Sequence, residues 1–380
     1  MLIWGYEMQI EVYHLITNDN NVTIELEAIC DSFSSLLWDV EYYECGQFEI
    51  YIAATAQNLE IFQTGKIVGR DDDKLHFGII EAVTLETDAE NGDYLTVTGR
   101  FLMSILSRRI IYPTLSFTKL TTYGEILQTA IQKNCLQEDN RKIPGLSLGE
   151  VSGDCWSKTA KLQVSYDNLM DWIYEICKLT GGTVNIRLQE TTAGSNLYQM
   201  RFELSQGDDR SVLQDENPHI VFSDSYNNLL SFSYAFDQTK YYNFAYIFGS
   251  GEGTARKRTT LFDSVEPTFL ERYEVYVDAK DISDEEQDES GQTVPIADED
   301  YTELLKEKGA EKLIPVTETT ESTIATDGRQ YQYNRDYFLG DFVTILHSRF
   351  GLSQEKMQLV GMIESFDQNG YSLTPTFEKG

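Results

Sequence analysis

The chain has 380 residues, 41% of them hydrophobic, a length suited to two to four domains. Its formal net charge of −32 excludes a protein that coats nucleic acid by neutralising phosphates. Such charge suits a soluble acidic surface, or a wall past which a polyanion slides without sticking.

"MLIWGYEMQIEVY" has neither the basic region nor the apolar core of a signal peptide, and no run reaches the ~18 apolar residues of a membrane span. In the first 110 residues, "MQIEVYHLI" (8–16), "FEIYIAAT" (48–55), "LHFGIIEAVTLET" (75–87) and "YLTVTGRFL" (94–102) read as strands. Asn91-Gly92 is a hairpin signal between the last two.

The period then changes. Thr122 with Glu125 forms a capping box, and Ile126, Leu127, Ala130 and Ile131 give one apolar helical face. A second helix follows in "SYDNLMDWIYEICKLTGG", capped by Ser165 or Asp167, with Leu169, Ile173, Ile176 and Cys177 inward and Gly181-Gly182 as the stop. Strands at 183–190 and 198–205 complete a small α+β domain at 111–217.

Strands return with "HIVFS", "LLSFSYAF" and "YYNFAYIF". The last opens "YIFGSGEGTARKR" (246–258), which has the look of a phosphate loop. Gly249, Gly251 and Gly253 give G-x-G-x-G, not G-x-G-x-x-G, and no apolar helical stripe follows. A tight turn between strands is the better reading, so no cofactor is expected. Residues 278–311 hold 13 Asp and Glu against 3 Lys, a net of −10. Their core, "ISDEEQDESGQT", reads as a mobile loop without the spacing of a calcium loop, and "DEDYTELLKEKG" as a short helix with Leu304 and Leu305 inward. Strands at 342–348, 356–366 and 371–377 end the chain.

Cys30, Cys45, Cys135, Cys155 and Cys177 lack C-x-x-C spacing and read as buried free thiols of a reducing compartment. His14, His76, His219 and His347 stand singly, so no metal site is expected.

Two segments match. "KLHFGIIEAVTLETDAENGDYLTVT" (74–98) and "KMQLVGMIESFDQNGYSLTPT" (356–376) each carry Gly-x-x-Glu, at Gly78–Glu81 and Gly361–Glu364. Each then has an Asn-Gly turn, Asn91-Gly92 and Asn369-Gly370, and a strand ending Thr-x-Thr. "CGQFEIYI" (45–52) similarly matches "LGDFVTIL" (339–346). A duplication predicts two similar small barrels, and three such chains would form a ring with pseudo-sixfold order.

The segments "SLLWDVEYYECGQFEIYI" (35–52), "GRFLMSILSRRII" (99–111), "RKIPGLSL" (141–148), "FSDSYNNLLSFSY" (222–234), "YYNFAYIFGSGEG" (241–253), "RYEVYVDAKDIS" (272–283) and "YNRDYFLGDFVTI" (333–345) carry a resemblance. In their order and coverage the chain resembles tail hub proteins of long-tailed bacteriophages, in the group named after the siphovirus ReqiPepy.

The resemblance implies an α+β, mainly β chain with two tube-type β-barrels: 1–110, and 218–263 with 335–380. An α+β domain (111–217) and an acidic accessory insertion (264–334) join them. It implies a homotrimeric hub at the tail tip of the virion, made in the bacterial cytoplasm. The hub would close or extend the tube, contacting the distal tail protein, the tape-measure protein and receptor-binding parts, with DNA only in transit through an acidic lumen. Gly249, Gly251 and Gly253 then look structural, and Gly340-Asp341 a turn leading into a strand. Arg256, Lys257 and Arg258, like Arg108 and Arg109, would pair with acids across a subunit contact.

An enzyme is not expected. Ser116-x-x-Lys119 and Ser353-x-x-Lys356 lack the companion motifs of a serine acyltransferase. A cell-wall hydrolase would need chain beyond Gly380. The remaining alternative is a receptor- or carbohydrate-binding appendage using Trp4, Trp38, Trp156 or Trp172.

Overall fold

The computed structural model describes residues 8–18, 21–88, 92–138, 140–195, 197–287, 292–325 and 330–379. The first region holds β1 (Ile10–Asn18), β2 (Asn21–Cys30), β3 (Ser35–Glu41), β4 (Gln47–Ala53), the short helix α1 (Ala56–Ile61), β5 (Ile67–Arg70), β6 (Gly78–Asp88) and β7 (Gly92–Phe101). Alternation decides which face is buried. Leu36, Trp38 and Val40 of β3 and Phe48, Ile50 and Ile52 of β4 point inward, and the residues between them do not.

The helical region follows as β8 (Leu115–Thr122), α2 (Tyr123–Ile131), β9 (Leu146–Val151), β10 (Thr159–Val164), α3 (Leu169–Thr180), β11 (Thr183–Glu190) and β12 (Leu197–Ser205). Thr122 and Glu125 form the capping box of α2. The cap of α3 is Asn168, not Ser165 or Asp167: its side chain accepts from the Met170 and Asp171 amides. The Ser165 hydroxyl is instead engaged by Thr114 Oγ1 at 2.8 Å. The apolar faces of α2 and α3 meet in a core that also contains Trp156 and Trp172.

The rest comprises β13 (Val221–Ser223), β14 (Leu229–Asp237), β15 (Phe244–Phe248), β16 (Arg258–Phe262), β17 (Glu274–Asp278), β18 (Glu285–Gln287), β19 (Thr293–Pro295), α4 (Asp298–Ala310), β20 (Thr317–Ile324), β21 (Phe342–His347), β22 (Leu352–Asp367) and β23 (Gly370–Lys379). Strands β15 and β16, read above with the second barrel, lie elsewhere. They join β17 in a separate three-stranded sheet, because Ala245 and Ile247 bury themselves against Tyr301, Leu304 and Leu305 of α4. The acidic run read as a mobile loop begins and ends as the β18–β19 hairpin, and its residues 288–291 lie outside the described residues.

Most other strands form one 16-stranded sheet, whose main path is β11-β12-β2-β1-β5-β6-β7-β4-β3-β22-β23-β20-β14. The path has two ends, so this topology does not display the two expected barrels as closed units. One of the two cores packed on it takes residues from both termini, among them Trp38, Phe48, Ile80, Phe222, Met362 and Phe377.

The repeat is written in the hydrogen bonds. Gly65 N–H donates to Ile80 O (2.8 Å) and Ile80 N–H to Lys66 O (2.9 Å). Likewise Gly340 N–H donates to Leu359 O (2.7 Å) and Leu359 N–H to Asp341 O (2.9 Å). A bulge follows each, between Ile80 and Ala82 and between Leu359 and Gly361. Thus β6–β7 answers to β22–β23, with Gly92 and Gly370 both at positive φ in the turns; Asn91 lies outside the described residues.

Two sequence matches need correction. Ile80 corresponds to Leu359, so the Gly78 and Gly361 motifs stand four residues out of step. The counterpart of 339–346 is the strand led by Gly65, not 45–52: β5 and β21 pair with the first strand of their hairpins, β4 with the second. The structural partner of β4 is β20, since Gln47↔Arg100 and Glu49↔Thr98 match Thr319↔Glu378 and Glu321↔Thr376.

Candidate functional site

The two repeated units meet where β3 pairs with β22, from Glu41↔Gly361 to Leu36↔Phe366. Beneath this seam lies a buried polar network. Arg70, 2% exposed, donates from Nη1 to Glu364 Oε1 (2.8 Å) and from Nε to Asp72 Oδ1 (2.8 Å). The Tyr371 hydroxyl donates to Glu364 Oε2 at 2.7 Å. Beside them Asp73 accepts from Trp38 Nε1 (3.0 Å) and the Leu75 amide (2.9 Å), and its Oδ2 lies 2.8 Å from His76 Nδ1. Burial alone would push the Asp73 carboxyl up. The His76 ring and its hydrogen bond, then the Arg70 charge, outweigh that and hold it well below the usual carboxylate range.

Sequence reading missed this network. Its one signal was Glu364 itself: it alternates with Met362 and Phe366 on a strand, a charge at a core position. Arg70 is 294 residues away, and no local pattern links the two.

The opposite face of the sheet is mostly polar, with Ile363 of β22 and Leu37 of β3 apolar at the seam. From β7 to β14 it presents Thr96 and Thr98, Gln47 and Glu49, Asp39 and Glu41, Gly361, Ile363 and Ser365, Thr374 and Thr376, Thr319 and Glu321, then Ser231 and Ser233. Arg100 stands on it but is held by Glu81 through two 2.8 Å bonds. Glu41 is exposed on this face, but partial desolvation by its neighbours, then the Asp39, Glu44 and Glu378 charges, push its carboxyl up to about 7. A carboxyl raised above its unfolded value of about 4.5 stabilises the fold while protonated. That contribution is full below about pH 4.5 and lost as pH rises through 7. Glu41→Gln is expected to flatten this decline in a series of urea melts between pH 4.5 and 8. An unchanged pH slope would show that the seam does not crowd Glu41.

The sequence-flagged loop is a structural turn. Gly249 approaches α4 so closely that a Cβ would lie 2.3 Å from the Tyr301 hydroxyl, which accepts from the Ser250 amide at 2.7 Å. Gly251 and Gly253 have positive φ, and only a three-residue 3-10 turn follows. Arg256 donates to Gly249 O (2.7 Å) and pairs with Asp278, while Lys257 pairs with Asp284 and Asp298. Arg258 and Arg108 are exposed, and Arg109 donates to Arg141 O at 3.0 Å. The structure therefore scatters these bases over separate regions. Gly340 turns into β21 at φ 93, packed on the Tyr42 ring, and Asp341 accepts from Arg210 Nε at 2.7 Å.

Trp38, Trp156 and Trp172 are buried, so none offers a face to a sugar; Trp4 lies outside the described residues. Among the described residues, no cluster of His, Cys, Asp or Glu is arranged to hold a metal, and no helix is long and apolar enough to cross a membrane.

Three solved structures share the fold. A tail protein from Neisseria meningitidis is 12% identical, with a TM-score of 0.59 over 98% of this chain and 97% of its own. The 43 kDa tail protein of prophage MuSo2 from Shewanella oneidensis is 12% identical, with 0.53 over 97% and 98%. The prophage tail protein gp18 from Listeria monocytogenes is 13% identical, with 0.53 over 98% and 94%. Comparison with curated protein sequences gives no match. The family described as siphovirus ReqiPepy6 Gp37-like protein matches residues 12–377, and with nearly the whole length covered the chain belongs to that bacteriophage tail protein family.

Proposed function

We propose that this tail protein is a structural hub at the distal end of the tail tube, where three copies form a ring around a channel. The observation that carries the reading is the duplicated unit joined edge to edge, so that one sheet with a mostly polar, carboxylate-bearing face runs across both halves. Turned toward a channel, that face would repel DNA phosphates and give passing DNA few lasting contacts. Each half would then act as one tube-type barrel unit. The distal tail protein, the end of the tape-measure protein and receptor-binding parts would attach around the ring. The buried tryptophans weigh against the carbohydrate-binding alternative.

Light scattering of the purified chain is expected to give about three times the 43.5 kDa monomer mass, and negative-stain images a ring with a central hole. A monomer that gains no ring when mixed with its distal tail protein would overturn the hub reading.

A further inference from the structure

The seam inside the chain has a counterpart that the single copy leaves open. Following the repeat, β22 corresponds to β6 and β3 to β14. The second equivalence comes from Ser231↔Thr323 and Ser233↔Glu321, which match Ser35↔Tyr51 and Leu37↔Glu49. Thus Leu36, Trp38 and Val40 correspond to Phe232, Tyr234 and Phe236.

The two sets meet opposite fates. Trp38 is 0% exposed because β22 covers it; Tyr234 is 39% exposed and Phe236 59%. Among the described residues β14 pairs only with β20, so its outer backbone edge is free. β6 is open in the complementary way: opposite β7 it pairs with β5 and the Gly65–Lys66 lead-in only from Gly78 to Ile80. Beyond that, Leu85 is 54% exposed. A long edge strand with an uncovered aromatic row is a template for another strand.

We infer that β14 of one copy pairs, antiparallel, with β6 of a second copy of this chain, reproducing the β3–β22 seam between subunits. This rests on the ring reading above. The internal seam supplies the register. Met362↔Val40, Ile363↔Asp39 and Glu364↔Trp38 translate to Val83↔Phe236, Thr84↔Ala235 and Leu85↔Tyr234. Leu85 then covers Tyr234 as β22 covers Trp38. Charge favours the same occupant. Strongly acidic copies repel one another, and from Tyr226 to Phe236 this edge carries no charged residue. Because the two strands are different surfaces of one chain, the contact is head-to-tail, the kind that builds the proposed ring where successive rotations close.

The test places cysteines at facing positions, Thr84→Cys with Ala235→Cys. Directly opposed residues have Cβ atoms roughly 4.5–5.5 Å apart, within disulfide reach after slight adjustment. Within one copy the two lie seven strands apart, roughly 33 Å along the sheet, so the expected bond joins two chains and runs at the mass of a multimer on a non-reducing gel. Mild oxidation is expected to convert most of the protein to a closed covalent ring. Thr84→Cys with Ser231→Cys, four residues out of register, should give little product. Leu85→Lys, at a site exposed in the single copy, should leave the urea midpoint unchanged and shift the mass to the monomer.

If the wild type is ring-sized, yet the Thr84→Cys, Ala235→Cys variant gives no link between chains and Leu85→Lys keeps the ring mass, this contact is overturned while the hub reading stands. Equal linking of both cysteine pairs also overturns it. A wild type that stays monomeric together with a Thr84→Cys, Ala235→Cys variant that stays unlinked, even with the distal tail protein, overturns both.

Discussion

Replacing Arg70 with methionine is expected to lower the unfolding free energy by about 3–5 kcal/mol, because it strands Glu364 as an unpaired buried charge. Both side chains are 2% exposed, and the guanidinium is shared between Glu364 and Asp72. The loss should be specific to breaking the pair. Arg70→Met with Glu364→Leu removes both charges and should recover most of the stability, since buried pairs often exchange neutrally for apolar residues. Urea unfolding of the two single variants and the double variant reads this directly. If Arg70→Met costs less than about 1 kcal/mol, the pair does not hold the seam.

Trp38→Ala should cost a similar ~3–5 kcal/mol, by a different route. The indole lies in the core with Phe101 at 4.9 Å and Phe48 at 5.8 Å between ring centroids. It sits opposite Glu364 across the seam, and its Nε1 donates to Asp73. Alanine leaves a cavity and an Asp73 acceptor without its donor. Trp38→Phe keeps much of the volume and removes the donor, so a loss of about 1–3 kcal/mol is expected. Equal costs for the two variants would mean that the hydrogen bond, and not the packing, dominates.

Local features were legible in the sequence where local chemistry decides them. The capping box at Thr122, the apolar faces of α2 and α3, the strand at 183–190 and the helix at 298–310 all follow from spacing within a turn or two. The family was legible too, because ordered segments span the chain. Strand neighbours were not. Alternation fixes which face of a strand is buried but is silent on which strand lies beside it. That is why 45–52 was matched with 339–346, and why β15 and β16 were placed in the wrong sheet. The four-residue slip at Gly78 and Gly361 has a related cause: a Gly-x-x-Glu string is conspicuous in sequence, whereas the bulge that sets the register leaves no letter. Arg70 and Glu364 meet only after the ends of the chain have come together.

That last point bears on synthesis. β3 pairs with its neighbour β4 early but gains its second lateral partner only from residues 361–366, more than 300 positions downstream. A nascent chain therefore emerges from the ribosome with an early strand whose second edge stays open until residues 361–366 have been made. Such distant pairing closes slowly and exposes sticky surface meanwhile. Premature termination anywhere before that segment should release polypeptides that precipitate or fall to proteases, making synthesis of residues 361–366 a checkpoint for entering particle assembly.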